Sequence, residues 1–451
     1  MRFGVISDIH IRTPESTERF RRALRYFDSR RADAVMVAGD LSDWGLKSGF
    51  KYVADAWISV FPGDRAADGR TVRKLFVTGN HDFDGWWYGD MTLDMHLNGY
   101  SEDEALSRIG MEQCWEEAFG ESYSMIRKRI VRGVCFVSAE WKGDDVSDRD
   151  AAVAKWFADH AAEFPPDKPF FFFRHAPLAN TVSSSGKRKE PSVLTDCLRR
   201  FPNCIAFNGH THWTLNDERS IWQEEFTAVS IPSLEYTSIP RGYENGGDRR
   251  RAESTLSMMV LPAREEQREA QGFFATLYED RLVLERWDFD EMAEAASPWI
   301  VPLGRNREKP YALEPHAAVT AIPQFREGAS VSTRIVNADR RNGRWTIFVE
   351  LGLPAAECRD GRVFDYLVAA QFEDGSVAVE KKYLSPAFYR LKRDEPSRLA
   401  FRFDGMDLPE SGRYRFAVYP RNCFGGAGAP IFSRWFESKP GKDVTKYKKW
   451  S

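Results

Sequence analysis

The feature that most constrains this chain is a rhythm in its first 230 residues: short β-branched or aromatic runs alternate with amphipathic helical stretches, the pattern of layered α/β folds. Phe3 to Ser7, Ala34 to Ala38, Leu75 to Thr78, Phe170 to Phe173 and Ile205 to Phe207 read as buried strands. Between the first two, Phe20, Ala23, Leu24 and Phe27 fall at i, i+3, i+4 and i+7, which predicts a helix with one apolar face. Ser147 to Glu163 repeats the logic, with Val153, Trp156 and Phe157 on one stripe and Ser147 as the expected N-cap. Glu225 to Ser230 reads as a strand, and Gly272 to Trp287 as a hairpin turned at Glu279-Asp280.

Each of the five buried strands runs directly into a polar signature. In order these are Asp8-Ile9-His10, Gly39-Asp40, Gly79-Asn80-His81-Asp82, Arg174-His175-Ala176-Pro177 and Gly209-His210-Thr211-His212. Functional groups in open α/β sheets gather outside the carboxyl ends of strands, so the five segments are expected to converge on one rim. Imidazoles, carboxylates and an amide oxygen suit divalent cations such as Mn²⁺, Fe or Zn²⁺. In Asp8-x-His10 and His210-x-His212, alternation along an extended backbone puts both side chains on one side. A single Asp can bridge two cations, and Asp40 is the candidate. Asp-x-His or Gly-Asp alone is a common chance pattern, but Gly-Asn-His-Asp and Gly-His-x-His commit rare residues: five of the eight histidines lie in these signatures. His96, His160 and His316 have no partner pattern and read as ordinary surface or structural residues.

The order and wording of these signatures resemble the calcineurin-like metallophosphoesterase superfamily over roughly residues 1 to 290. The opening Asp-x-His and the Asn-His-Asp are similar to its phosphodiesterase branch. They differ from the purple acid phosphatase branch, which places a Tyr after the second signature where this chain has Leu41-Ser42-Asp43-Trp44. The resemblance implies one cation held by Asp8, His10, Asp40 and His212, and a second held by Asp40, Asn80, His175 and His210, with no ligand missing. Two cations about 3.5–4 Å apart share a water and lower its pKa, making a metal-bridging hydroxide the implied nucleophile on phosphorus. His81 would then protonate the leaving oxygen, and Asp82 would orient or charge it. The implied fold class is layered α/β (α+β), a four-layer metallophosphoesterase β-sandwich flanked by helices, with an all-β sandwich domain after it. Hydrolysis of a phosphodiester is the expected activity. A phosphomonoesterase and a metal-containing scaffold without turnover are the alternatives.

At 451 residues the chain exceeds the size of a single core. The expected organisation is a catalytic domain over 1–295, a Pro-rich linker over 296–324, a β-sandwich over 325–438 and a basic tail over 439–451. The linker is punctuated by Pro298, Pro302, Pro310, Pro315 and Pro323. The sandwich is expected from strands at Trp345 to Leu351, Phe364 to Phe372, Arg398 to Phe403, Tyr414 to Tyr419 and Ile431 to Phe436. It resembles a fibronectin type III or immunoglobulin-like module, with support of the catalytic domain, homo-oligomerisation or polymer binding as its open roles.

A formal charge of -3 gives no global field to recruit nucleic acid, so a small organic phosphate is the expected substrate. No run approaches the ~18 apolar residues of a membrane span, and no leader pattern opens the sequence, so a cytoplasmic protein is expected. The six cysteines are far apart and read as buried free thiols. Phe83, Trp86, Trp87 and Tyr88 form an aromatic cluster that either stacks on substrate or anchors its loop. Lys187-Arg188-Lys189 reads as a solvated face.

Overall fold

The computed structural model describes residues 1–84, 111–141, 146–186, 192–238, 240, 242–245, 270–304, 307–341, 344–359, 361–389, 396–409 and 411–438. Trp86, Trp87, Tyr88, His96, Lys187-Arg188-Lys189 and the 439–451 tail lie outside these residues. The chain divides into two compact units, 1–238 with 268–316, and 239–267 with 317–451.

The strands of the first unit are β1 (Arg2–Ile6), β2 (Ala34–Ala38), β3 (Arg73–Val77), β4 (Ile126–Val131), β5 (Val134–Ala139), β6 (Phe170–Arg174), β7 (Cys204–Asn208), β8 (Ile221–Gln223), β9 (Thr227–Ser230), β10 (Gln271–Leu277), β11 (Arg281–Asp288) and β12 (Ala293–Pro302). Its helices are α1 (Glu18–Ser29), α2 (Lys47–Val60), α3 (Asn80–Asp84), α4 (Met111–Phe119), α5 (Val146–Asp159) and α6 (Val193–Leu198), and α7 (Leu313–Val319) follows. Two six-stranded sheets form, ordered β12-β11-β10-β1-β2-β3 and β4-β5-β6-β7-β9-β8. β1, β2 and β3 run parallel to one another, and so do β5, β6, β7 and β9.

The apolar runs look continuous in sequence because each strand is buried on both faces. On β2, Ala34, Met36 and Ala38 enter the core shared by the two sheets, while Val35 and Val37 face a second core built with α1 and α2. On β6, Phe171 and Phe173 enter the shared core and Phe170 and Phe172 pack with α5 and α6. The result is the expected layering, helices–sheet–sheet–helices. Fully burying one such phenylalanine is worth roughly 2–3 kcal/mol, so the aromatic density of β6 alone anchors its sheet. The α1 stripe is buried as expected, with Phe20, Ala23, Leu24 and Phe27 fully covered.

Differences from expectation have local causes. Helix α5 begins at Val146, so Ser147 lies inside it and is not its N-cap. Residues 296–302, expected as linker, complete β12 at the sheet edge. Pro298 is accommodated by a register shift: Trp299 faces Leu284 and Ala296 faces Arg286, leaving Ser297 and Pro298 in the bulge. The linker stretch also contains α7.

The second unit has β13 (Ser332–Arg341), β14 (Arg344–Pro354), β15 (Asp365–Phe372), β16 (Val377–Leu384), β17 (Arg398–Asp404), β18 (Gly412–Arg421), β19 (Ile431–Phe432) and β20 (Phe436–Ser438). A three-stranded sheet, β13-β14-β17, and a five-stranded sheet, β16-β15-β18-β19 with β20 on β18, share one core containing Leu351, Val368, Phe401 and Phe416. Strands β13 and β16 were not expected from sequence. All six cysteines are free. Among the described residues no helix is long and apolar enough to cross a membrane.

Candidate metal centre

The five signatures meet because their strands are neighbours and all leave their sheets at carboxyl ends. Past β1 and β2 the two chains stay paired: Asp8 N–H donates to Gly39 O, His10 N–H to Asp40 O and Ile11 N–H to Leu41 O, each at 3.0 Å. Gly209 N–H likewise donates to His175 O at 3.0 Å. Asp8, His10, Asp40, His210 and His212 all adopt left-handed backbone, with φ of 52°, 43°, 51°, 73° and 51°. Left-handed backbone is uncommon for non-glycine residues, though Asp and His adopt it more readily than most, and it clusters at functional sites.

Two glycines make the approach close enough. A Cβ on Gly79 would lie 2.2 Å from Asp40 Oδ1, and one on Gly209 would lie 1.9 Å from Ser7 Oγ and 2.5 Å from Asp8 Oδ2. Both positions therefore exclude any side chain, which is why glycine precedes Asn80 and His210.

Asp8, His10, Asp40 and His212 are buried, and their ligand atoms lie within 4.8 Å of one another. His10 Nε2 is 3.1 Å from His212 Nε2, and His212 Nε2 is 3.0 Å from Asp8 Oδ1. Beside this group, Asn80 Oδ1 lies 3.0 Å from His175 Nε2 and 2.9 Å from His210 Nδ1, while those two ring nitrogens are 3.2 Å apart. Asp40 Oδ2 reaches both sides, 3.7 Å from His10 Nε2 and 3.2 Å from His175 Nε2. Sequence reasoning thus named seven residues that the fold brings together.

Surrounding contacts fix which nitrogen each ring presents. His175 Nδ1 donates to Ala38 O at 2.8 Å and His10 Nδ1 donates to Asp43 Oδ1 at 2.7 Å, leaving Nε2 of each ring for the centre. The donor set fits divalent cations. Two pairs of ring nitrogens converge with carboxylate oxygens, and one proton serves only one nitrogen of each pair, whereas a cation satisfies every lone pair at once.

Electrostatics agree. Burial pushes the Asp8 carboxyl up, but His212 and His175 outweigh it and bring it down to about 2. Asp40 is likewise held well below the usual carboxylate range, burial being overcome by His175 and His10. Against burial, Asp43 lifts His10 to about 9, and Asp40 with Asp8 lifts His175 to about 9. Burial and His175 press His210 down to about 4. Protons on His10 and His175 occupy the nitrogens that face the centre, so a cation bound there would release protons.

His81 and Asp82 part company. His81 Nδ1 donates to Asp43 O at 2.9 Å, with Asp43 Oδ1 at 3.5 Å, and its backbone N–H donates to Asp40 Oδ1 at 2.9 Å. Burial and His10 lower its pKa. The Asp82 carboxylate instead accepts three backbone N–H groups, from Leu41 at 3.1 Å, Ser42 at 2.7 Å and Gly79 at 2.8 Å. Burial and the Asp40 charge push it up to about 7 against those three donors. It therefore binds the second signature loop to the third, and it is Asp43 that holds His81.

Sequence reasoning missed Asp43, Trp141 and Tyr236. Asp43 also binds Arg12 Nε at 2.6 Å; its signal was a carboxylate three residues beyond Asp40. Tyr236 packs on His212 at 4.1 Å between ring centroids, and Trp141 lies 5.8 Å from both His175 and His210. No local pattern marks either. Phe83 packs on Tyr123. His160 donates from Nδ1 to Trp156 O, and His316 is buried beside Glu218, so both are structural.

No curated protein matches the chain in sequence. Among solved structures, a dimetal phosphatase from Danio rerio aligns at 12% identity and TM-score 0.40, covering 67% of this chain and 99% of that one. A purple acid phosphatase from yellow lupin (Lupinus luteus) seeds aligns at 14% and 0.38, covering 67% and 53%. The anchor in the inner membrane complex of Plasmodium aligns at 11% and 0.40, covering 71% and 94%. The family model for calcineurin-like phosphoesterase matches residues 1–214, a stretch that contains every residue of the centre. The N-terminal region of this chain, residues 1–214, is a calcineurin-like phosphoesterase domain.

Proposed function

We propose that the domain hydrolyses a phosphodiester using two divalent cations, one held by Asp8, His10, Asp40 and His212 and the other by Asp40, Asn80, His175 and His210. The observation that carries this reading is the pair of facing nitrogen sets, His10 with His212 and His175 with His210, with Asp40 between them. Held by these residues, two cations would supply an acidified water and neutralise charge developing on phosphate oxygens. The protein's own contribution is rigidity. Ala38 O and Asp43 hold the rings in one tautomer, so no reorganisation is needed as charge develops.

His81 is the proton donor to the leaving oxygen in this reading. Its Nδ1–H is bound to Asp43 O, so proton delivery in this reading runs through Nε2. Proton delivery requires the imidazolium, so activity on poor leaving groups falls as pH rises. The Asp-x-His opening and the Asn80-His81-Asp82 sequence support diester over monoester chemistry. In the second unit, the β13-β14-β17 and β16-β15-β18 sheets around one core support a fibronectin type III-like module.

The test is hydrolysis of bis-p-nitrophenyl phosphate against p-nitrophenyl phosphate by metal-stripped protein reconstituted with Mn²⁺. A higher kcat/KM for the diester, lost in Asp40→Ala, is expected. Preference for the monoester would replace the diester reading, and no turnover of either by fully loaded protein would leave a scaffold.

A further inference from the structure

On the rim opposite the metal centre, at the amino ends of β2 and β3, lies a cleft of about 530 Å³ lined by Arg31, Arg70, Arg73 and Arg132 together with Asp33 and Asp68. Its lining carries four guanidinium groups against two carboxylates, in a chain whose overall charge is -3. A third carboxylate, Asp28, stands behind and binds Arg70 at 2.9 Å. Arg132 pairs with Asp33 at 2.9 Å and Arg31 with Asp68 at 3.3 Å. Both arginine side chains are about two-thirds exposed, at 66% and 67%, so these pairs are worth little and do not explain the arrangement. Arg73 makes no ion pair among the described residues.

The backbone says more. Arg31 sits just past the end of α1 with φ 59°, where its N–H donates to Asp28 O and the next N–H, of Ala32, donates to Phe27 O. That is a Schellman cap, whose left-handed position favours glycine. Arg132 opens the two-residue turn between β4 and β5, with φ 52° followed by Gly133 at 78°. A turn with two positive φ values favours Asn-Gly there. Two of the four arginines thus occupy positions whose local geometry prefers another residue, and both line the same cleft. Fold stability does not select arginine at either place.

We propose that this cleft is a binding site for a small phosphorylated ligand of nucleotide size, separate from the metal centre and independent of the reading of that centre. Guanidinium groups suit phosphate because their planar donors match its oxygens in pairs. The volume lies within the range of small-ligand sites, about 300–1,000 Å³. Arg73 supplies a charge that is unpaired among the described residues, and Arg31 and Arg132 close the cleft from the helix end and the hairpin.

The test uses full-length protein freed of metal on a chelating resin, with inorganic pyrophosphate as probe and calorimetry as readout. Binding to wild type should weaken as NaCl is raised. The double variant Arg31→Gly/Arg132→Asn is expected to melt at the same temperature or higher, to retain diester hydrolysis, and to bind pyrophosphate at least tenfold more weakly. Arg73→Ser alone should also weaken binding. No binding by wild type at millimolar pyrophosphate would overturn the proposal, and so would unchanged binding in the double variant.

Discussion

Replacing Asp82 by alanine should loosen the centre without touching a ligand. The Asp82 side chain accepts backbone N–H groups from Leu41, Ser42 and Gly79, and it is only 1% exposed, so no water takes its place without a cavity. A buried amide left without a partner costs roughly 1–3 kcal/mol. Three of them, relaxing in part, give about 4 kcal/mol, or about 10³ in a local opening equilibrium at ~1.4 kcal/mol per decade. Hydrogen exchange read by mass spectrometry on peptides spanning residues 39–44 and 76–82 measures this directly, with β6 peptides as the internal control. Exchange about a thousandfold faster in both loops, with β6 unchanged, is the expected result. Acceleration below tenfold would refute the view that Asp82 is what holds the second and third signature loops together. Asp82→Asn should fall between, because its amide group turns a donor toward one of the three N–H groups.

Three further outcomes follow from the same contacts. Gly209→Ala should abolish cation loading, as measured by elemental analysis of purified protein, because its Cβ would lie 1.9 Å from Ser7 Oγ and 2.5 Å from Asp8 Oδ2; full loading would contradict the packing argument. Asp43→Asn should cut kcat on diesters by roughly 10²-fold while leaving KM within a few fold, since it weakens the charge-assisted bond to His10 and removes the negative charge 3.5 Å from His81, whose bond to the Asp43 main-chain oxygen remains. Glu218, partly buried beside Arg286, His316 and Trp299, is brought down to about 2, Arg286 foremost among the groups that outweigh its burial. A depressed carboxyl stabilises the fold above its unfolded value and loses that contribution as pH falls through the folded value. Thermal melts should therefore drop between about pH 4.5 and pH 2, by up to about 3 kcal/mol at ~1.4 kcal/mol for each pH unit separating the two values. Glu218→Gln should remove most of this pH dependence and lower stability near neutrality.

What the sequence made legible was whatever had a local signature. Strands buried on both faces appear as apolar runs, as in Phe170 to Phe173, and the residues that follow them gather at the centre because parallel neighbours end on one rim. Some strands were lost, β5 inside its sheet and β4, β8 and β12 at sheet edges, although the edge strands β3 and β17 were read. β4 carries Arg127, Lys128 and Arg129 on a sheet edge, and β12 tolerates Pro298 through a bulge that no local pattern announces. Around the centre the candidate ligands were readable and their supports were not. Asp43 acts on His10 across 33 residues of sequence, and Tyr236 meets His212 only because the segment after β9 folds back over the rim. Asp82 misled for a related reason: adjacency to His81 suggested a catalytic partner, whereas helix α3 turns its carboxylate toward the backbone of a different loop.

The central claim is that seven residues hold two cations through a shared Asp40. The most direct test is the cation content of the chain, taken by elemental analysis after Mn²⁺ reconstitution and removal of excess, on wild type and Asp40→Ala, with bis-p-nitrophenyl phosphate turnover measured on the same samples. Two equivalents in wild type, fewer than one in the variant and turnover only in the former are predicted. One equivalent in an active wild type, or an Asp40→Ala protein that keeps both cations and its activity, would contradict the account.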